Sequence, residues 1–367
     1  MKKIIRYLLG MFIVAGFFMQ CKEIDDSFKD FVVPGGIVYP QKVVNPMVNS
    51  GYQRIKISWL RGADPSVTKA RIFWNNYNDS IEVIIPPVGD TISVIINDLP
   101  EGLYSFFIIS YDDAGNSSVP QEVLGNVYGE NHLSILRNRP VVSSFLNLVR
   151  TVFIHWGPAD VSYGAFATEV EYTNVEGETI IEHFSVDESE SSLFKLDVEE
   201  HVYRYRTLFQ PDSTCLDTLF TDFSEISEFC FDKRDWKVLA YSSAHPGDAN
   251  LVTNVIDNRT DTRWHTDANS SVYPHFVTID LGCERTITGF ELFRMKDDDR
   301  ACNTFQLMIS SDRENWIDLG VFNFNRLTNK GQFYEISPHV VGRYFKFIGL
   351  SGPQKYMVLG EMSLYGY

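Results

Sequence analysis

The sequence predicts an all-β protein made of several β-sandwiches, and three observations carry that expectation. Phe and Tyr are abundant, 27 and 18 among 367 residues, and both suit the pleated, half-buried surface of a sheet. Short apolar or alternating runs recur along the chain, each closed by Gly, Pro, Asn or Asp, which is the rhythm of antiparallel sandwiches. Parts of one stretch also return about a hundred residues later, the mark of tandem units. At about 100–150 residues per domain, this length calls for two or three cores.

The chain opens with Lys2, Lys3 and Arg6 ahead of an apolar run from Tyr7 to Met19. Such a run is too short to span a bilayer comfortably, and its charged-then-apolar order is that of an export signal. Cys21 follows, then Lys22, Glu23, Asp25 and Asp26. This N-terminus resembles a Bacteroidetes surface lipoprotein, although Gln20 stands where such signals carry a small residue. The resemblance implies a signal peptide over 1–20, a lipidated Cys21, a linker over 21–37, and acyl chains holding the protein on the outer membrane at the cell surface.

Strand-like runs then appear at Arg54–Trp59, Ala70–Trp74, Thr91–Ile96 and Tyr104–Tyr111, separated by turns such as Gly62-Ala63-Asp64-Pro65 and Asp113-Ala114-Gly115-Asn116. Ile57-Ser58-Trp59 returns as Ile154-His155-Trp156, Ala63-Asp64 as Ala159-Asp160, and Leu103-Tyr104-Ser105-Phe106 as Val202-Tyr203-Arg204-Tyr205, at offsets of 97, 96 and 99 residues. A near-constant offset means two copies of one fold. Through Lys56-Ile57-Ser58-Trp59, Asp98-Leu99-Pro100-Glu101-Gly102 and Tyr111-Asp112-x-x-Gly115-Asn116, the first copy (38–129) resembles a Bacteroidetes domain of unknown function with a fibronectin type III-like sandwich. The second copy (139–230) follows from the repeat, with 131–140 as the joint. Trp59 and Trp156 are expected in the cores.

From Trp236 the pattern changes to Asp257-Asn258-Arg259-Thr260-Asp261-Thr262-Arg263-Trp264 and then Tyr273-Pro274-His275-Phe276-Val277-Thr278-Ile279-Asp280-Leu281-Gly282. Phe305–Ser311, Arg343–Phe347 and a terminal Gly360-Glu361-Met362-Ser363-Leu364-Tyr365-Gly366 follow. This region (232–367) resembles the F5/8 type C, or discoidin-like, domains, galactose-binding-like jelly-roll sandwiches that include family 32 carbohydrate-binding modules. Trp264 and Trp316 are expected in its core.

The Asp257–Thr262 turn offers a hard carboxylate, a hydroxyl and main-chain carbonyls, a donor set that suits Ca²⁺. The resemblance implies a structural Ca²⁺ held by the side chains of Asp257 and Glu361, by Thr262 through hydroxyl and carbonyl, and by the carbonyls of Asn254, Arg259 and Gly360. Asn258 stands where the family often has Gly, and Asn tolerates the left-handed conformation. The alternative is that Asp257 only caps its turn. Ligands of the family bind in loops at one end of the sandwich. Candidates there are His265, Tyr273, His275, Arg294, Arg300, Asn303 and Tyr356, since sugars call for flat aromatic faces and planar multi-donor groups. Arg294 either touches ligand or pairs with the run Asp297–Asp299.

The formal charge of −16 repels phosphate backbones, so nucleic acid is not an expected partner. The cysteines besides Cys21 are Cys215, Cys230, Cys283 and Cys302, without metal-ligand spacing; Cys283 and Cys302 are either paired or free thiols. No G-x-S-x-G, H-E-x-x-H or Gly-rich phosphate loop is present. The expectation is a non-enzymatic surface lipoprotein that binds glycan as an accessory of a polysaccharide-uptake system. The other reading is an adhesin or scaffold that meets surface proteins.

Overall fold

The computed structural model describes residues 36, 39–197, 200 and 202–367. The expected signal peptide and Cys21 lie outside them. The chain divides into two compact units, Met1–Gly129 and Glu130–Tyr367, and both are β-structures.

Among the described residues, the first unit has seven strands: β1 (Val44–Tyr52), β2 (Ile55–Leu60), β3 (Val67–Trp74), β4 (Asp79–Ile84), β5 (Thr91–Ile96), β6 (Gly102–Asp112) and β7 (Gln121–Tyr128). Their order is β4-β3-β6-β7-β1-β2-β5. β1 runs antiparallel to β2 along most of its length and, at Gly51 and Tyr52, parallel to β7, so one strand belongs to both layers. Alternation in β2 sends Ile55, Ile57 and Trp59 inward, where they meet Ala70, Ile72, Phe106 and Ile108. The Tyr104 hydroxyl donates to the Pro100 carbonyl at 2.9 Å, the tyrosine corner of immunoglobulin-like sandwiches. This is the fibronectin type III-like arrangement that the sequence predicts.

The second unit begins with a short helix, Glu130–Ile135, and then repeats the plan with β8 (Val141–Leu146), β9 (Val152–Trp156), β10 (Ala165–Thr173), β11 (Thr179–Ser185), β12 (Glu190–Leu193) and β13 (Tyr203–Phe209). β14 (Leu219–Phe220) and β15 (Ser224–Ile226) both pair with β13. The repeated motifs fall on β2 and β9, and on β6 and β13, so the offset seen in the sequence is a structural one. Trp156 is buried with Tyr172, Tyr203 and Phe229. Its indole donates to Ser191 Oγ at 2.9 Å, and the Arg139 guanidinium lies 5.5 Å from its ring.

The next strand, β16 (Phe229–Phe231), pairs in parallel with β8 and antiparallel with the last strand of the chain. The sheet of the second sandwich therefore continues without a break into the C-terminal jelly roll. The domain boundary expected between 230 and 232 falls, in the structure, at the end of a strand shared by both sides.

The jelly roll comprises β17 (Lys237–Tyr241), β18 (Trp264–His265), β19 (His275–Phe293), β20 (Thr304–Ser310), β21 (Ile317–Asn323), β22 (Gln332–Ser351), β23 (Val358–Leu359) and β24 (Glu361–Gly366). β19 and β22 are long and pair along most of their length, with register shifts between Asp280 and Arg285 and between Ile287 and Gly289. Such bulges bend a strand. Phe290, Phe305, Phe345 and Phe347 meet in the core with Trp264. Trp316 departs from expectation. It is half-buried at a polar turn, its indole donates to the Arg313 carbonyl, and the Lys346 ammonium lies 5.6 Å from its ring. Among the described residues, no disulfide joins Cys215, Cys230, Cys283 or Cys302. Burial pushes the Cys302 thiol up to about 12, which keeps it protonated.

Candidate functional site

Two groups of side chains gather at the loops of the jelly roll, and each is set by a short element. β18 pairs with β23, Trp264 opposite Leu359 and His265 opposite Val358. This ribbon brings the 243–246 segment, His265 and the 354–357 loop together. The His245 N–H donates to the His265 carbonyl, and the Trp264 indole donates to the Ser243 carbonyl.

The His265 ring stacks on Tyr356, with centroids 4.9 Å apart and planes 17° from parallel, and the His245 ring lies 5.0 Å from it, tilted by 39°. His265 Nδ1 sits 2.6 Å from the Thr266 carbonyl; a carbonyl only accepts, so Nδ1 carries the proton. Burial, with the nearby Arg300, His245 and Arg263 charges, holds the His265 imidazole below its ordinary value, so it is neutral at pH 7. His265 is buried and backs Tyr356, which is half-exposed. Arg300 lies 5.9 Å from the Tyr356 ring and is held in plane by Asp298 through Nε at 2.9 Å and Nη2 at 2.5 Å. That pairing raises the guanidinium further above its ordinary value and fixes its orientation. Tyr356, Arg300 and His245 thus form an aromatic and cationic shelf whose positions are set before any ligand arrives.

The other group is a polar network. Arg294 Nε donates to Asn329 Oδ1 at 2.8 Å and its Nη1 to the Arg326 carbonyl at 3.2 Å, while Asp297 is 3.9 Å away. Arg326 donates to Asn303 Oδ1 and to Asp299. Arg294 and Asn303 therefore brace the 294–303 loop against the 324–331 loop, and the Arg294 side chain is only 10% exposed. Tyr273 and His275 lie further inside. His275 is fully buried, with Nε2 2.9 Å from the Lys355 carbonyl, and the Tyr273 hydroxyl is buried beside Gly352. β19 begins at His275 with that side chain facing the core, so neither residue belongs to the shelf.

The expected cation turn has the predicted backbone. Asn258 is left-handed at φ 64°. The Thr262 hydroxyl lies 3.0 Å from Asp257 Oδ1 and 3.2 Å from the Arg259 carbonyl. Glu361 reaches the same turn, its Oε2 accepting the Arg259 N–H at 3.1 Å. Asn254 turns its amide to the Arg263 carbonyl at 2.8 Å. Gly360 packs so closely that an added Cβ would meet the Arg294 carbonyl oxygen at 2.5 Å. Asp257, Arg259, Thr262 and Glu361 are thus together. These residues do not fit a bound Ca²⁺, however. The group pointing at both carboxylates is an N–H rather than a carbonyl, and Lys233 Nζ already lies 2.6 Å from Glu361 Oε1.

A family model described as a domain of unknown function, DUF4998, matches residues 21–219, more than half of the chain. The chain belongs to this family. The DUF4998 match runs past the first sandwich through most of the second, beyond the 38–129 span of the sequence resemblance. A second model, the F5/8 type C domain, matches residues 239–362. No curated protein matches the chain.

Solved structures similar to the F5/8 type C region include the C-terminal domain of a chitobiase from Bacteroides fragilis, at 22% identity over 37% of this chain and 95% of that one, with a TM-score of 0.34. Another is the family 32 carbohydrate-binding module of Clostridium perfringens NanJ in complex with galactose, at 14% identity over 38% and 98%, TM-score 0.35. A third is the fifth family 32 module of a C. perfringens family 89 protein in complex with GalNAc-β-1,3-galactose, at 21% identity over 35% and 94%, TM-score 0.33.

Four residues of these networks are not among the sequence candidates: His245, Arg326 and Asn329 within the F5/8 type C match, and Lys233 just before it. The Pro-Gly turn after His245 was its only local signal. Lys233 stands 128 positions from its partner, and nothing local announces that pairing.

Proposed function

We propose that the F5/8 type C domain binds carbohydrate at the shelf formed by Tyr356, Arg300 and His245, and that the protein does so without catalysis. The observation that carries this reading is the Tyr356 ring, backed by the His265 imidazole and flanked by a guanidinium fixed on Asp298. A half-exposed ring suits the C–H face of a pyranose, and a fixed guanidinium suits its hydroxyls. The guanidinium, raised above its ordinary value by Asp298, keeps its proton and so offers hydrogen bonds rather than a general acid or base. Binding is what the shelf's chemistry offers.

The remainder of the proposal rests on the N-terminal sequence. Acylation of Cys21 holds the chain on the outer membrane, where it serves as an accessory of a polysaccharide-uptake system. Labelling with an alkynyl fatty acid tests the anchor: the wild-type chain takes up label and Cys21→Ala does not. A glycan array with the full chain tests the binding face. Bound glycans whose signal falls in Tyr356→Ala and Arg300→Ala support the reading. Glycan signal unchanged in both variants would place recognition elsewhere, and protein partners in place of glycans would favour the scaffold reading.

A further inference from the structure

The Lys233 and Glu361 side chains are 2% and 4% exposed, and Nζ lies 2.6 Å from Oε1. Lys233 stands two residues beyond β16, and Glu361 opens β24, so this pair ties the shared strand to the last one. The remaining hydrogen bonds of Glu361 come from the main chain. Oε1 accepts the Met362 N–H at 3.0 Å and Oε2 accepts the Arg259 N–H at 3.1 Å. The same Arg259 N–H lies 2.9 Å from Asp257 Oδ1, so one donor is shared between both carboxylates of the turn.

Charge decides what else this site can take. The buried carboxylate of Glu361 is balanced by one ammonium. Asp257 is exposed and needs no internal partner. Asp261, the only other acid in the turn, is paired outward with Arg259 at 3.0 Å. A divalent ion between Asp257 and Glu361 would put three positive charges against two negative ones. It would also need about six to eight oxygen ligands, where an N–H now points in. We propose that the Lys233 ammonium does the work of a structural cation, fastening β24 to the 257–262 turn and to the end of β16, so that the jelly roll closes without calcium. The clasp is covalently part of the chain, is not lost to chelators, and holds the second sandwich and the jelly roll to one sheet.

Thermal melting of the full chain tests this directly. Dialysis against a chelator and addition of millimolar calcium should give superimposable curves, while Lys233→Met should melt lower in both conditions, because it leaves Glu361 buried without its cation. Two results would overturn the proposal. One is a calcium-dependent rise in the wild-type melting temperature that Asp257→Asn removes, which places the ion in this turn. The other is a Lys233→Met chain that melts like the wild type. The chelator comparison stands even where Lys233→Met does not fold.

Discussion

Single residues carry the tightest constraints of the jelly roll. Phe305 is fully buried and meets Phe290, Phe322, Tyr334 and Phe347 with ring centroids 5.1–5.7 Å apart. Phe305→Ala should cost about 3–5 kcal/mol in urea unfolding, by lost burial and an unfilled cavity. A loss below about 1 kcal/mol would mean that this cluster is not the core. Gly360→Ala meets backbone atoms of Arg294 and Met295 at 2.5–2.8 Å. Neither can swing aside as a side chain could, so this variant should melt well below the wild type. Much of this scale was legible beforehand. Trp59, Trp156 and Trp264 are core residues as their strand patterns implied, whereas Trp316 sits at a polar turn that an apolar reading cannot distinguish. The turn residues Asp257, Asn258 and Thr262 were readable because their contacts are local. Lys233 was not, because its meaning depends on Glu361 at the far end of the domain.

At the scale of elements, long-range pairing sets both stability and pH response. Arg343 on β22 grips Asp280 on β19 through Nε at 2.8 Å and Nη2 at 2.9 Å. That guanidinium first, and the Gly282 N–H after it, hold the Asp280 carboxyl below its ordinary value against the opposing effect of burial. A lowered folded value gives stability that is fully present above the unfolded value, about pH 4, and is lost as pH falls through the folded one. The melting temperature of the wild type should therefore exceed that of Asp280→Asn by a constant margin near neutrality, and the margin should shrink below about pH 4. A margin constant down to pH 3 would contradict this linkage. β5 matches its sequence prediction at both ends, and β2, β3 and β6 lie within a few residues. β1, β4 and β7 were not foreseen, because their outer faces are polar or interrupted and leave a weak period. β16 is three residues long and has no signature; only its two neighbours make it a joint. Its pairing predicts that amides of β8 and β24 exchange with solvent through openings of similar free energy. Exchange from β8 while β24 stays protected would show that the second sandwich and the jelly roll open separately.

At the scale of the whole molecule, the tandem sandwiches and the jelly roll match different family models. The sequence showed the repeat, the jelly roll and the acidic surface, since each rests on many residues at once. The proposed binding face was legible only in part. Tyr356, Arg300 and His265 were candidates by residue type, but Arg294, Asn303, Tyr273 and His275 were equally eligible until the fold assigned them to bracing and packing. That distinction makes the account testable by calorimetry of the full chain with an array-selected glycan. Tyr356→Ala should weaken binding about tenfold or more, or about 1.4 kcal/mol, while Asn303→Ala, in the bracing network, should change it far less. A glycan affinity unaltered by Tyr356→Ala in a chain that still melts like the wild type would contradict the central claim.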